Sequence, residues 1–362
     1  SGINTYTGAT NVNVGKLAAG STQAFGNNSA VTVALNATLD LNGFDNSIFS
    51  LSGAGLVKNG TPPGAPVAKL TITNGNGQNF TGNIQDDGPV ALQKDGPGTQ
   101  ILSGINTYSG DTIVNGGILQ AGSTTAFSPN SDFFVNTGGT LSLAGFNNTI
   151  LTLSDNGAPG GTVQNGAGGA AVLTFGDVNN LTFRGVIQNG GAGALGITKQ
   201  GTGTETLSGL NTYTGPTTIN AGKLIGGSIS AFGVNSAVTV NNGGTLDLGG
   251  FNNAIGSLAG IPGSTVQNST GVAATLTTGA LGTSTLFAGN IINGAGAPLA
   301  LTKVGVGTLT VSGVNTYSGP TNVNAGVLQA GSITAFSATS AHSVNTGGTL
   351  ALNGFNLSLI HI

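Results

Sequence analysis

The chain has 362 residues, enough for two or three ordinary domains, yet 66 of them are Gly and only 5% are charged. Gly at more than twice its usual ~7% argues against ordinary domains, its irregular spacing excludes collagen, and a 38% hydrophobic share excludes a charge-rich disordered chain. A net charge of −3 gives no patch for nucleic acid, the absence of Cys removes disulfides and thiolate metal sites, and no apolar run approaches the ~18 residues of a membrane span.

The first element is SGINTYTG (Ser1–Gly8). Phe25 follows Tyr6 by 19 residues, and Phe44 follows Phe25 by another 19. Six residues after the first pair, Val12 and Val31 repeat the same interval. AVTV (Ala30–Val33) alternates as a strand does, and Gly, Asn and Ser interrupt the pattern too often for a helix. NGTPPGAPVAK (Asn59–Lys69) reads as a long turn, because the strand pattern resumes at once. QDDGP (Gln85–Pro89) holds the paired acids Asp86 and Asp87. Equivalent turns read QNGG (Gln188–Gly191) and INGA (Ile292–Ala295), so the acids replace turn-forming Asn and Gly. An Asx turn, not a catalytic dyad, is expected there.

The opening motif returns as SGINTYSG (Ser103–Gly110), SGLNTYTG (Ser208–Gly215) and SGVNTYSG (Ser312–Gly319), with its Tyr spaced 102, 105 and 104 residues apart. Tyr108, Phe127 and Phe146 keep both 19-residue intervals, as do Tyr213, Phe232 and Phe251, then Tyr317, Phe336 and Phe355. These twelve aromatics are expected to form buried structural columns, not a sugar-stacking platform. Val114 with Phe133, and Ile219 with Val238, extend the second column. The variable lengths fall in the second half of each unit, which marks one edge of a solenoid.

Lys94, Lys199 and Lys303 recur shortly before each later motif. Single charges one long repeat apart cannot converge on a small ligand, so edge protection or turn capping is expected. Glu205 stands where the other copies have Gln100 and Leu309. Facing inward, it would cost several kcal/mol unless paired or protonated, so it is expected to rotate toward a solvated edge. His342 takes the place of Val31 and Val238 and reads as a packed neutral imidazole with no second ligand near it. Thr pairs such as Thr217–Thr218 do not repeat rung by rung, which argues against a flat Thr array. Leu357–Ile362 (LSLIHI) depart from the other copies and match the translation of a common sequencing-library transposon adapter, so they are read as an artefact.

Short strands recurring every ~19–22 residues give an all-β parallel β-helix of about 17 rungs. Residues 1–356 form one segment of three and a half ~104-residue repeats. Three segments then carry a resemblance: LQKDGPGTQILSGINTYSGDTIVNGGILQAG (Leu92–Gly122), ITKQGTGTETLSGLNTYTGPTTINAGKLIGG (Ile197–Gly227) and LTKVGVGTLTVSGVNTYSGPTNVNAGVLQAG (Leu301–Gly331). Their order of Lys, Gly-x-Gly-Thr, NTY and Val/Ile-Asn-x-Gly resembles the autotransporter-associated β-strand repeat of bacterial type V passenger domains. The resemblance implies a right-handed helix, displayed on or released from a Gram-negative cell by a C-terminal membrane barrel outside this sequence. It also implies a structural, adhesin-like stalk whose repeats aid its own export, with host or surface glycans or proteins as partners. No cofactor, metal or catalytic residue is assigned. A polysaccharide-acting β-helix enzyme or a carbohydrate-binding surface is the alternative.

Overall fold

In the computed structural model, which describes residues 2–62, 64–157 and 159–357, the described residues contain strands and turns and no helix. They wind into a parallel β-solenoid of about 15 turns. The expected 17 is too many because long loops, such as the one that stretches the turn from Gly53 to Phe80 to 27 residues, raise the average turn above the ~21 residues that number assumes. The backbone falls into two compact units: residues 1–175 with 184–194, and residues 176–183 with 195–362.

In the first unit, one nine-stranded parallel sheet begins with Thr10–Val12, Ala30–Val33, Ser50–Gly53, Gln78–Phe80, Thr99–Leu102 and Gly117–Ala121. A six-stranded sheet carries Asn46–Ile48 through Thr152–Ser154, and a four-stranded sheet carries Gly15–Ala18 through Asn83–Asp86. The second unit has its own run of parallel strands, among them Thr217–Ile219, Ala237–Val240, Ser257–Gly260, Thr285–Phe287, Thr308–Val311 and Gly326–Ala330.

Register shows how far each turn travels. Thr10 lies opposite Val31, Leu102 opposite Ala121, and Gly53 opposite Phe80. A turn therefore consumes 19 residues at Leu102 but 27 at Gly53, the extra length lying in the loops of each repeat's second half. The second column is also shifted. Val31 faces Thr10 and Val33 faces Val12, so the step is 21 residues, not 19. A two-residue slip keeps the same side chains inward, which is why the pattern tolerated the wrong partner.

The inward side chains stack in columns. Leu119, Leu141, Val163 and Ile187 are successive partners in the first unit, and Leu224, Leu246, Val266 and Ile291 in the second. All eight are buried. Burial of each such side chain contributes ~1.5–3 kcal/mol, and stacking at ~4.8 Å confines that gain to neighbouring turns.

Candidate functional site

The recurring NTY turn has the same internal construction four times. Asn106 accepts the Ile84 amide at 2.8 Å and donates its side-chain amide to the Ala126 carbonyl at 2.6 Å, tying the turn before to the turn after. Asn211 and Asn315 donate in the same way to Ala231 and Ala335. The hydroxyl of Tyr108 lies 2.8 Å from Thr112 Oγ1, which lies 2.8 Å from Ser131 Oγ, and the serine donates to the Gly110 carbonyl at 2.7 Å. With that proton committed, the chain runs from tyrosine to threonine to serine to carbonyl. Tyr213–Thr217–Ser236–Gly215 and Tyr317–Thr321–Ser340–Gly319 repeat it, as do Tyr6, Thr10, Ser29 and Gly8. Burial pushes the Tyr213 and Tyr317 phenols up to about 12, against the smaller pull of their hydrogen bonds, and raises Tyr108 further.

The aromatics divide by position. Tyr108, Tyr213, Tyr317, Phe25, Phe127, Phe232 and Phe336 are buried, whereas Tyr6, Phe146 and Phe251 are about two-fifths exposed. Phe44 and Phe355 are half-buried. The ring partner of Phe127 is Phe133, at 5.6 Å between centroids. The serines and the Asn that follows the third aromatic escaped the sequence reading. Asn148 accepts the Phe127 amide and donates to the Ser123 and Phe146 carbonyls. Its recurrence as Asn46 and Asn253 was the available signal.

The recurrent lysines are turn caps. Lys94 sits inward between Ile72 and Val114, and its ammonium donates to the carbonyls of Asp95, Gly96 and Gly116 at 2.6, 3.0 and 3.1 Å. Lys199 and Lys303 repeat the arrangement on the turns that follow them. Burial pushes Lys94 down to about 8, with Asp95 opposing, and lowers Lys199 and Lys303.

The acids do not converge. Asp86 accepts the Val90 and Ser109 amides, and Asp87 pairs with Lys58. Glu205 contradicts its expected rotation outward: it is buried, opposite Leu181 and Leu224, because the alternating pattern of Thr204–Leu207 leaves it no outward choice. The Thr217–Thr218 pair does not repeat on the adjoining strands, since Thr217 lies opposite Ile197 and Val238, but its outward member stands in a short single file. Thr198, Thr218 and Thr239 are outward partners on three successive strands, and the ladder stops at Ala259. Among the described residues no group of three His, Cys, Asp or Glu is placed to hold a metal ion.

Two shallow grooves lie on the surface beside the NTY turn. One, about 340 Å³, is lined by Ile105, Thr107, Thr124, Phe127, Pro129 and Thr149; the other, about 210 Å³, by Val314, Thr316, Ile333, Thr334, Phe336 and Ala338. These are equivalent positions of the second and fourth copies, and no charged side chain lines either.

The passenger-associated transport repeat family matches residues 1–19, 92–121, 197–225 and 301–330. Over 97% of its length the chain is 32% identical to an adhesin autotransporter, BmaC, of Brucella suis biovar 1 (strain 1330), and it spans 12% of that protein. No solved structure matches. Each of the four matched segments contains one NTY turn.

Proposed function

We infer that this chain is a stretch of autotransporter passenger, a structural stalk with an adhesin-like role at the surface of a Gram-negative cell or in its secreted products. One observation carries the reading. Each of the four family matches contains the Asn, Tyr and Thr of one tie between turns, and the Ser that completes the tie follows ten or eleven residues after the match ends. Such turns hold a solenoid that grows rung upon rung, so each emerging turn gains stacking energy by docking on its folded neighbour. That gain biases a chain in a pore against sliding back. The absence of Cys suits the same passage, since no disulfide forms before exit.

On this reading the first partner is a membrane barrel of the same polypeptide, and host or surface glycans or proteins are the further partners. The repeats are non-catalytic, in keeping with scattered acids and hydrogen-bonded carboxylates. The test is export of the full-length protein with Tyr108, Phe127 and Phe146 replaced by Ser. Surface appearance should slow relative to the parent; unchanged kinetics would count against a transport role for the repeats.

A further inference from the structure

The fourth copy carries an ionisable side chain at an interior position where the other three are apolar. Val31, Phe133 and Val238 lie opposite Thr10, Thr112 and Thr217, and His342 lies opposite Thr321 in the same register. The imidazole takes over the packing of Phe133: it sits 5.8 Å from the Phe336 ring at 56°, as Phe133 sits 5.6 Å from Phe127 at 57°. His342 is only 3% exposed, and neither Nδ1 nor Nε2 has a partner in hydrogen-bonding geometry.

We propose that His342 is an acid-sensitive latch, whose protonation locally opens the strands His342–Val344 and Gly348–Ala351 of the fourth copy while the other copies stay closed. An imidazolium here would bring a charge and two N–H donors into a space shaped for a hydrocarbon. Among the described residues, nothing packed against it supplies a counter-charge. Its paired strand Thr321–Val323, the strand Gly348–Ala351 that follows it on another sheet, and the segment Gly331–Ala341 that carries Phe336 contain no titratable side chain. In the adjoining turns Tyr317 donates to Thr321, and the Lys303 ammonium is tied to the carbonyls of Val304, Gly305 and Ala325, a cation that adds no attraction.

The direction of the effect follows from burial, which holds the imidazole below its usual range; the Ser340 backbone opposes this less strongly. A base whose folded pKa is depressed takes its proton more readily when unfolded. The local stability is therefore complete above the unfolded value of ~6.5 and falls as pH drops below it.

The test is amide hydrogen exchange of the 362-residue chain at pH 7.5 and pH 5.5, corrected for intrinsic exchange, in the parent and in His342→Val. Protection across Phe336–Ala351 should fall about threefold or more in the parent and stay constant in His342→Val, with the Val238 region constant in both. His342→Phe, which copies the second repeat, serves if the valine variant is poorly packed. A smaller fall in the parent, or an equal fall in the variants, overturns the latch. The second histidine, His361, is present in all three proteins and so cannot produce a difference between them.

Discussion

Single residues set the pH response of this molecule, because several of its few ionisable groups sit inside. For Lys94, lowered to about 8 by burial, the unfolded chain keeps its proton to higher pH than the folded one. Stability therefore rises as pH climbs from about 8 toward the unfolded ~10.5. The buried tyrosines act in the opposite sense. Their raised values mean that stability is complete below an unfolded ~10 and is lost above it as the unfolded phenols ionise. Urea midpoints should thus rise from pH 8 to near 10 and fall beyond, and a flat or steadily falling profile would refute the lysine contribution. Glu205 provides a second test at this scale. Its equivalents are Gln100, whose amide reaches the Leu51, Gln78 and Ile101 carbonyls, and Leu309. Glu205→Leu should stabilise by about 1–3 kcal/mol, since it replaces a buried carboxyl by the side chain the fourth copy uses there. A lower midpoint for that variant would mean that the carboxyl's present contacts outweigh its desolvation.

At the scale of an element, the NTY turn works as a set of ties between consecutive turns. Removing the central hydroxyl with Thr112→Val strands the Tyr108 donor and costs about 1–3 kcal/mol. In a double-mutant cycle with Tyr108→Phe the two losses should be less than additive, because either change breaks the same chain. Additive losses would show the hydroxyls to be independent. The turn between the strands Thr217–Ile219 and Gly222–Gly226 relies on backbone freedom. Gly222 has φ +64°, and a Cβ there would lie 2.4 Å from the Gly203 carbonyl oxygen. Gly222→Ala should cost about 2–4 kcal/mol, measurable as early loss of exchange protection in the neighbouring strands.

For the whole chain, the length of a copy decides which way its surface faces. In the first unit, Thr99–Leu102 lies four turns above Thr10–Val12, and the next homologous strand, Thr112–Val114, enters before the fifth turn closes, on a different sheet. The second unit repeats this with Thr217–Ile219 and Thr321–Val323. Neighbouring copies within a unit thus present equivalent residues from different sheets, and a repeating surface feature does not form a straight row. Stability remains a sum over adjacent turns. Deleting Ile105–Gly209 joins Gly104 to Leu210 inside a restored SGLNTY motif, and the shortened chain should fold with unchanged circular dichroism per residue. Its denaturant m-value should drop in proportion to the surface removed. Loss of the β signal would mean that the copies depend on more than their neighbours.

Much of this was written in the residues. Alternating Val, Leu and Thr between Gly and Asn turns determined strands, and the fourfold NTY motif determined a winding chain, because period-2 burial and a fixed return distance leave few other solutions. The caps at Lys94, Lys199 and Lys303 were also among the readings their recurrence allowed. What the linear order withheld was partner choice across turns. Val31 facing Thr10 instead of Val12, and the ladder Thr198–Thr218–Thr239, depend on how many residues each loop absorbs. Glu205 went inward because its strand's neighbours fixed the face, and a single side chain cannot rotate out of a ladder whose backbone is bonded on both sides.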